Sequence, residues 1–73
     1  MIRYNYAKLR GRIVERVGSQ QKFAEEMGLS ERTVSLKMNG KISWKQAEIS
    51  MACKVLAIDE QEILAYFFAE EVQ

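Results

Sequence analysis

The run Ser19-Gln20-Gln21-Lys22-Phe23-Ala24-Glu25-Glu26-Met27-Gly28-Leu29-Ser30-Glu31-Arg32-Thr33-Val34-Ser35-Leu36-Lys37-Met38-Asn39-Gly40 reads as two short helices joined by a tight turn. Ala24 supplies a small side chain where the helices cross. Gly28 falls just after the first helix, where a left-handed backbone is favoured and a β-carbon is penalised. Val34 follows six positions later, on the inner face of the second helix. Ser19 and Ser30 stand at the two helix starts, where a hydroxyl can hold an otherwise unpaired backbone N–H. Residues 19–40 are therefore expected to form a helix-turn-helix, a motif whose second helix is suited to the DNA major groove.

Outward from this run, apolar residues keep helical spacing between polar caps. The pattern predicts helices at about 6–17, 20–27, 31–38, 44–56 and 60–71. Asn5, Ser30 and Asp59 each sit inside an apolar pair, Tyr4 and Leu9, Leu29 and Val34, Ile58 and Ile63, with the spacing of a hydrophobic staple. Ser43 and Asp59 also have Gln46 and Glu62 three residues on, as a capping box requires. No sustained period-2 alternation suggests a strand. The expected architecture is all-α, one five-helix domain over residues 1–73.

Seventy-three residues allow one small core, and a single cysteine rules out an internal disulfide. Cys53 lies on the inner stripe of the fourth helix; with no histidine in the chain it reads as a core residue, not a metal ligand. No signal peptide or membrane span is evident, so a soluble, cytoplasmic protein is expected. The absence of histidine and of a glycine-rich phosphate loop argues against an enzyme, and no cofactor is implied.

The net charge of +1 conceals an asymmetry. Residues 1–45 hold ten basic and four acidic side chains, a surplus of +6, whereas residues 46–73 stand at −5. A basic half that includes the helix-turn-helix would orient the molecule on a polyanion. Along the second helix of the motif, Val34 and Met38 point inward, leaving Glu31, Arg32, Ser35 and Leu36 outward and Lys37 flanking. Arg32 can hold a guanine edge, Glu31 can accept from a cytosine amino group, Ser35 is permissive and Leu36 can meet a thymine methyl. Gln20, Asn39, Lys37 and Lys41 add donors suited to phosphates.

Ser19-Gln20-x-x-Phe23-Ala24-x-x-Met27-Gly28-Leu29-Ser30-x-x-Thr33-Val34-Ser35-x-x-Met38-Asn39-Gly40-Lys41 resembles the helix-turn-helix of the lambda repressor/Cro family of phage and bacterial regulators. Ile49, Ala52, Cys53, Leu56, Ile58, Ile63 and Leu64 are similar to that family's fourth and fifth helices. Short repressors of Gram-positive prophages are the members it most resembles. The resemblance implies a Cro-like regulator that binds operator DNA as a dimer. It implies base contacts from Glu31, Arg32, Ser35 and Leu36, and phosphate contacts from Gln20, Asn39 and Lys41, with Ser30, Thr33 and Lys37 alongside. Lys37 and Leu36 depart from the family pattern and leave the rotation of the helix open; the other reader set is Glu31, Arg32, Thr33 and Lys37. A homodimer through Tyr66, Phe67 and Phe68 of the fifth helix would set two reading helices about 34 Å apart. The alternative is an antirepressor or interaction module on the same scaffold, whose partner is a companion regulator protein.

Overall fold

A computed structural model describes residues 3–71. Among them are five α-helices: α1 (Ala7–Val17), α2 (Gln20–Met27), α3 (Glu31–Met38), α4 (Gln46–Leu56) and α5 (Ile63–Phe67), with a 3-10 turn at Glu60–Glu62 leading into α5. Local signals explain most of the boundaries. The Ser19 hydroxyl accepts from the Lys22 N–H, and the Ser30 hydroxyl accepts from the Thr33 N–H at 3.0 Å. Asn5 accepts from the Ala7 N–H at 2.8 Å, and Asp59 accepts from the Gln61 N–H. Gly28 ends α2 with a φ of 71°, a conformation glycine enters without penalty.

Three boundaries differ from expectation. The first is the start of α5, where the Asp59 carboxylate accepts from the Gln61 N–H and not from Glu62, Glu60–Glu62 form a 3-10 turn and the α-helix begins only at Ile63. α4 begins at Gln46 and not near residue 44, because the Ser43 carbonyl is taken by a lysine from α3 and Trp44 enters the core from extended chain. The cap moves to Lys45, whose backbone N–H is held by the Glu48 carboxylate at 2.8 Å. α5 stops at Phe67 and not near 71, because the following residues turn back to pair with residues 3–5. The Asn5 N–H donates to the Ala69 carbonyl at 2.7 Å and the Glu71 N–H donates to the Arg3 carbonyl at 2.8 Å, making one antiparallel bridge between Tyr4 and Glu70. Tyr4, one half of the staple expected with Leu9, sits on this bridge. Its ring meets Phe68 edge to face at 5.6 Å.

The core draws on every α-helix: Leu9 and Ile13 from α1, Phe23 and Ala24 from α2, Val34 and Met38 from α3, Ala52 and Leu56 from α4, Tyr66 and Phe67 from α5. α2 packs on α1, α3 and α4, so the small Ala24 lies where it must, and Cys53 is half-buried against the same cluster. Trp44 fills the space between α2 and α5, with Phe23 at 6.4 Å and Phe67 at 5.4 Å between ring centroids. Such tilted and edge-on pairs add about 0.5–1.5 kcal/mol beyond burial. The expected dimer face on the fifth helix therefore needs correction: Tyr66 and Phe67 are buried in the core, and only Phe68 of the three is exposed. No described helix is long and apolar enough to cross a membrane.

Candidate functional site: the outer face of α3 and its flanks

α3 is fixed from its inner face and from both ends. Val34 and Met38 are buried, and at the start the Ser30 hydroxyl also donates to the Thr33 hydroxyl at 2.8 Å, so Ser30 is fully engaged within the cap. At the far end the Asn39 amide donates to the Ser35 carbonyl at 2.9 Å. The left-handed Gly40 then turns the chain away, and the Lys41 N–H reaches back to the Leu36 carbonyl.

Lys37 overturns one expectation. It is only 2% exposed and cannot reach a phosphate or a base edge. Its Nζ donates to the Ser43 carbonyl at 2.8 Å, pairs with Glu48 of α4 at 2.7 Å and lies 5.7 Å from the centre of the Trp44 ring. Position 37 borders the Val34–Met38 stripe, and a long flexible stem lets the ammonium turn inward to acceptors the stripe itself lacks. The reader set that includes Lys37 is thereby excluded. Burial alone raises the pKa of the Glu48 carboxyl; hydrogen bonds from Lys37 and the Lys45 N–H, with the charges of both lysines, outweigh it and hold the group below its ordinary value.

The remaining positions lie together on the outside. Glu31 and Arg32 are exposed, Thr33, Ser35 and Leu36 are half-buried, and the pairs 31/35 and 32/36 share one face by helical phase. Asn39 and Lys41 are exposed beyond the helix end, and Gln20 is half-buried at the start of α2. Lys41 has no acidic partner within ion-pair distance among the described residues. The exposed charge of this surface is balanced. Across residues 19–41, Lys22, Arg32 and Lys41 face Glu25, Glu26 and Glu31, with Lys37 neutralised inside.

Much of the basic surplus of the N-terminal half has another employment. Arg12 of α1 donates to the Leu56 and Ala57 carbonyls at 2.9 and 2.7 Å and pairs with Glu15, so it closes the C-terminal end of α4. Arg10 donates to the Met38 carbonyl at 3.1 Å at the end of α3, and Lys8 lies over the Tyr66 ring at 4.7 Å. Arg3 pairs with Glu71 at 3.5 Å. These roles require contacts 28 to 68 residues away in sequence, so charge counting alone does not reveal them. Among the described residues no group of three or more Cys, Asp or Glu side chains is assembled that could hold a metal ion.

The scaffold is thus helical throughout its core, with a charge-balanced outer helix and an inward ion pair. The chain belongs to the family described as "Protein of unknown function (DUF739)", whose model matches residues 2–70. Among solved structures it is similar to the modulator of repression (MOR) of the temperate bacteriophage TP901-1 from Lactococcus lactis, determined in solution. The two are 51% identical, with 96% of this chain and 95% of that chain covered and a TM-score of 0.82. No curated protein matches the chain.

Proposed function

We propose that this protein is a phage-type regulator that modulates repression by binding a companion repressor protein. The observation that carries this reading is the 51% identity, across 96% of the chain, to a protein whose title is modulator of repression. The geometry supports the same choice. A duplex-binding surface gains most of its affinity by neutralising phosphates with Lys and Arg, and the exposed charges of residues 19–41 cancel. Glu31 beside Arg32, with Leu36 on the same face, suits a mixed protein surface, where charge complementarity selects the partner.

A second reading is direct operator binding through α3 as a lambda repressor-like helix-turn-helix, favoured by the exposure of Arg32, Asn39 and Lys41 on α3 and just beyond its end. One experiment separates the two. Repressors from the genome that carries this gene are titrated by calorimetry in parallel with a random duplex pool. Partner binding predicts a stable complex with one repressor, weakened by Leu36→Glu, and only weak DNA affinity from the protein alone. Recovery of a palindrome from the pool, with affinity falling steeply with salt and no repressor complex, refutes partner binding. Under that outcome Arg32→Ala weakens specific DNA binding by about 1–3 kcal/mol.

A further inference from the structure

Beside the C-terminal end of α3, a groove of about 880 Å³ runs between the paired chain segments 3–5 and 69–71 and the loop 39–44. Tyr6, Met38, Trp44 and Phe67 belong to the core and line its inner wall. Its outer margin is unusual for a small helical protein: Tyr4, Ile42 and Phe68 line it and are all exposed, Ile42 at 42% and Phe68 at 41%. Lone exposed apolar residues are ordinary; three around one concavity mark a contact surface.

The polar groups of the groove are mostly donors. Among the described residues Arg10 and Lys41 line it without any acidic partner within ion-pair distance, since the contacts of Arg10 are to the neutral Met38 carbonyl and the Asn39 side chain. The Arg3–Glu71 pair at the margin is self-neutralised. The indole N–H of Trp44 is buried with no acceptor among the described residues, and Trp44 lines the groove. A buried donor without a partner is costly, and a ligand oxygen would relieve it. The bridge geometry adds a backbone element. In the Tyr4–Glu70 pair the flanking residues carry the hydrogen bonds, which turns the N–H and C=O of Tyr4 away from Glu70. Neither has a hydrogen-bond partner among the described residues, so segment 3–5 offers a short free edge to an extended chain.

We propose that this groove docks an extended acidic–apolar segment of the partner regulator, its large apolar side chain seated among Tyr4, Ile42 and Phe68 and its carboxylate facing Arg10 and Lys41. This rests on the partner-binding reading above and deepens it. Exposed rings and Ile42 gain nothing from a sugar–phosphate backbone, whereas an apolar anchor beside a carboxylate uses both the exposed apolar margin and the two cations.

Trp44 is the only tryptophan, so its indole resonance reports directly on the groove. The test selects twelve-residue peptides from a random display library on the immobilised protein. The winner is then titrated into 15N-labelled protein, with a duplex DNA as competitor. The expected winners combine acidic residues with a large apolar one. They shift the Trp44 indole resonance downfield along with amides of residues 3–6, 38–44 and 67–71. Lys41→Glu and Ile42→Asp, both at exposed positions, lose about tenfold or more in affinity with unchanged thermal melting. No enriched peptide, winners that are basic, shifts confined to the outer face of α3, or displacement by DNA each overturn the proposal. A repressor complex that Leu36→Glu abolishes but Ile42→Asp and Lys41→Glu leave intact also overturns it while leaving the partner-binding reading standing. Peptides that dock in the groove without any repressor complex keep the groove as a peptide site but overturn the repressor as its occupant, and the partner-binding reading with it.

Discussion

Glu48→Gln removes one negative charge from a place where nothing can replace it. The Lys37 ammonium has a side-chain exposure of 3%, its carboxylate partner is 2.7 Å away, and the only other acceptor within reach is the Ser43 carbonyl. The glutamine keeps an acceptor for the Lys45 N–H, so the substitution isolates the charge. Stripping one partner from a buried ion pair costs about 3–5 kcal/mol, and the partial solvent access of Glu48 places the expectation near about 3 kcal/mol. A domain of this size has a total stability of about 4–11 kcal/mol, with each kcal/mol shifting Tm by about 4–8 °C, so a fall of about 12–24 °C is expected. Lys37→Met should behave differently. Methionine keeps the apolar stem beside Trp44 and leaves Glu48 bound to the Lys45 N–H and partly hydrated, for a loss of about 1 kcal/mol or less. Combining Lys37→Met with Glu48→Gln should recover most of the single-site loss, a coupling measurable by urea unfolding followed by circular dichroism. A Glu48→Gln variant within about 1 kcal/mol of the parent, or a Lys37→Met variant that is the more damaged, refutes the reasoning.

The same carboxylate sets a pH dependence. Because the Glu48 pKa lies below its unfolded value of 4.5, the stability it contributes is present above pH 4.5 and is lost as pH falls through the folded value. Unfolding curves between neutral and acid pH should therefore converge for parent and Glu48→Gln below that point. Ala57 is held at a φ of 53°, so Ala57→Gly should relieve about 1 kcal/mol of strain, offset in part by unfolded-chain entropy, for a net gain of about 0.5 kcal/mol in denaturant unfolding. Ser30→Ala loses the acceptor for the Thr33 N–H and should destabilise by about 1 kcal/mol, with faster amide exchange confined to the first turn of α3.

α1 to α3 could be placed from sequence because their boundaries are written locally: the Ser19 and Ser30 hydroxyls and the left-handed Gly28 act within four residues of themselves. Val34 and Met38 were legible for the same reason, through helical phase. What the sequence hid is long-range. Ser43 has the spacing of a cap, yet its carbonyl is drawn to Lys37, and the cap shifts two residues on. α5 has helical periodicity to residue 68, yet pairing with residues 3–5 ends it at Phe67. Tyr66 and Phe67 look surplus to one helical stripe until Trp44 and Lys8 arrive from elsewhere to cover them. The candidate face was half visible. Glu31, Arg32, Ser35 and Leu36 do share it, but Lys37 could be assigned inward only by knowing that Glu48 and Trp44 converge on it. Arg10 and Arg12 add to the basic surplus of the sequence although both close helix ends.

The anchoring of α3 from within has a practical corollary. Since its orientation is set by Val34, Lys37, Met38 and the caps, residues 31, 32 and 36 form a display plate that can be rewritten wholesale without touching the side chains that hold it. Libraries randomised there should stay folded, making this short chain a histidine-free, disulfide-free chassis on which new affinities can be evolved.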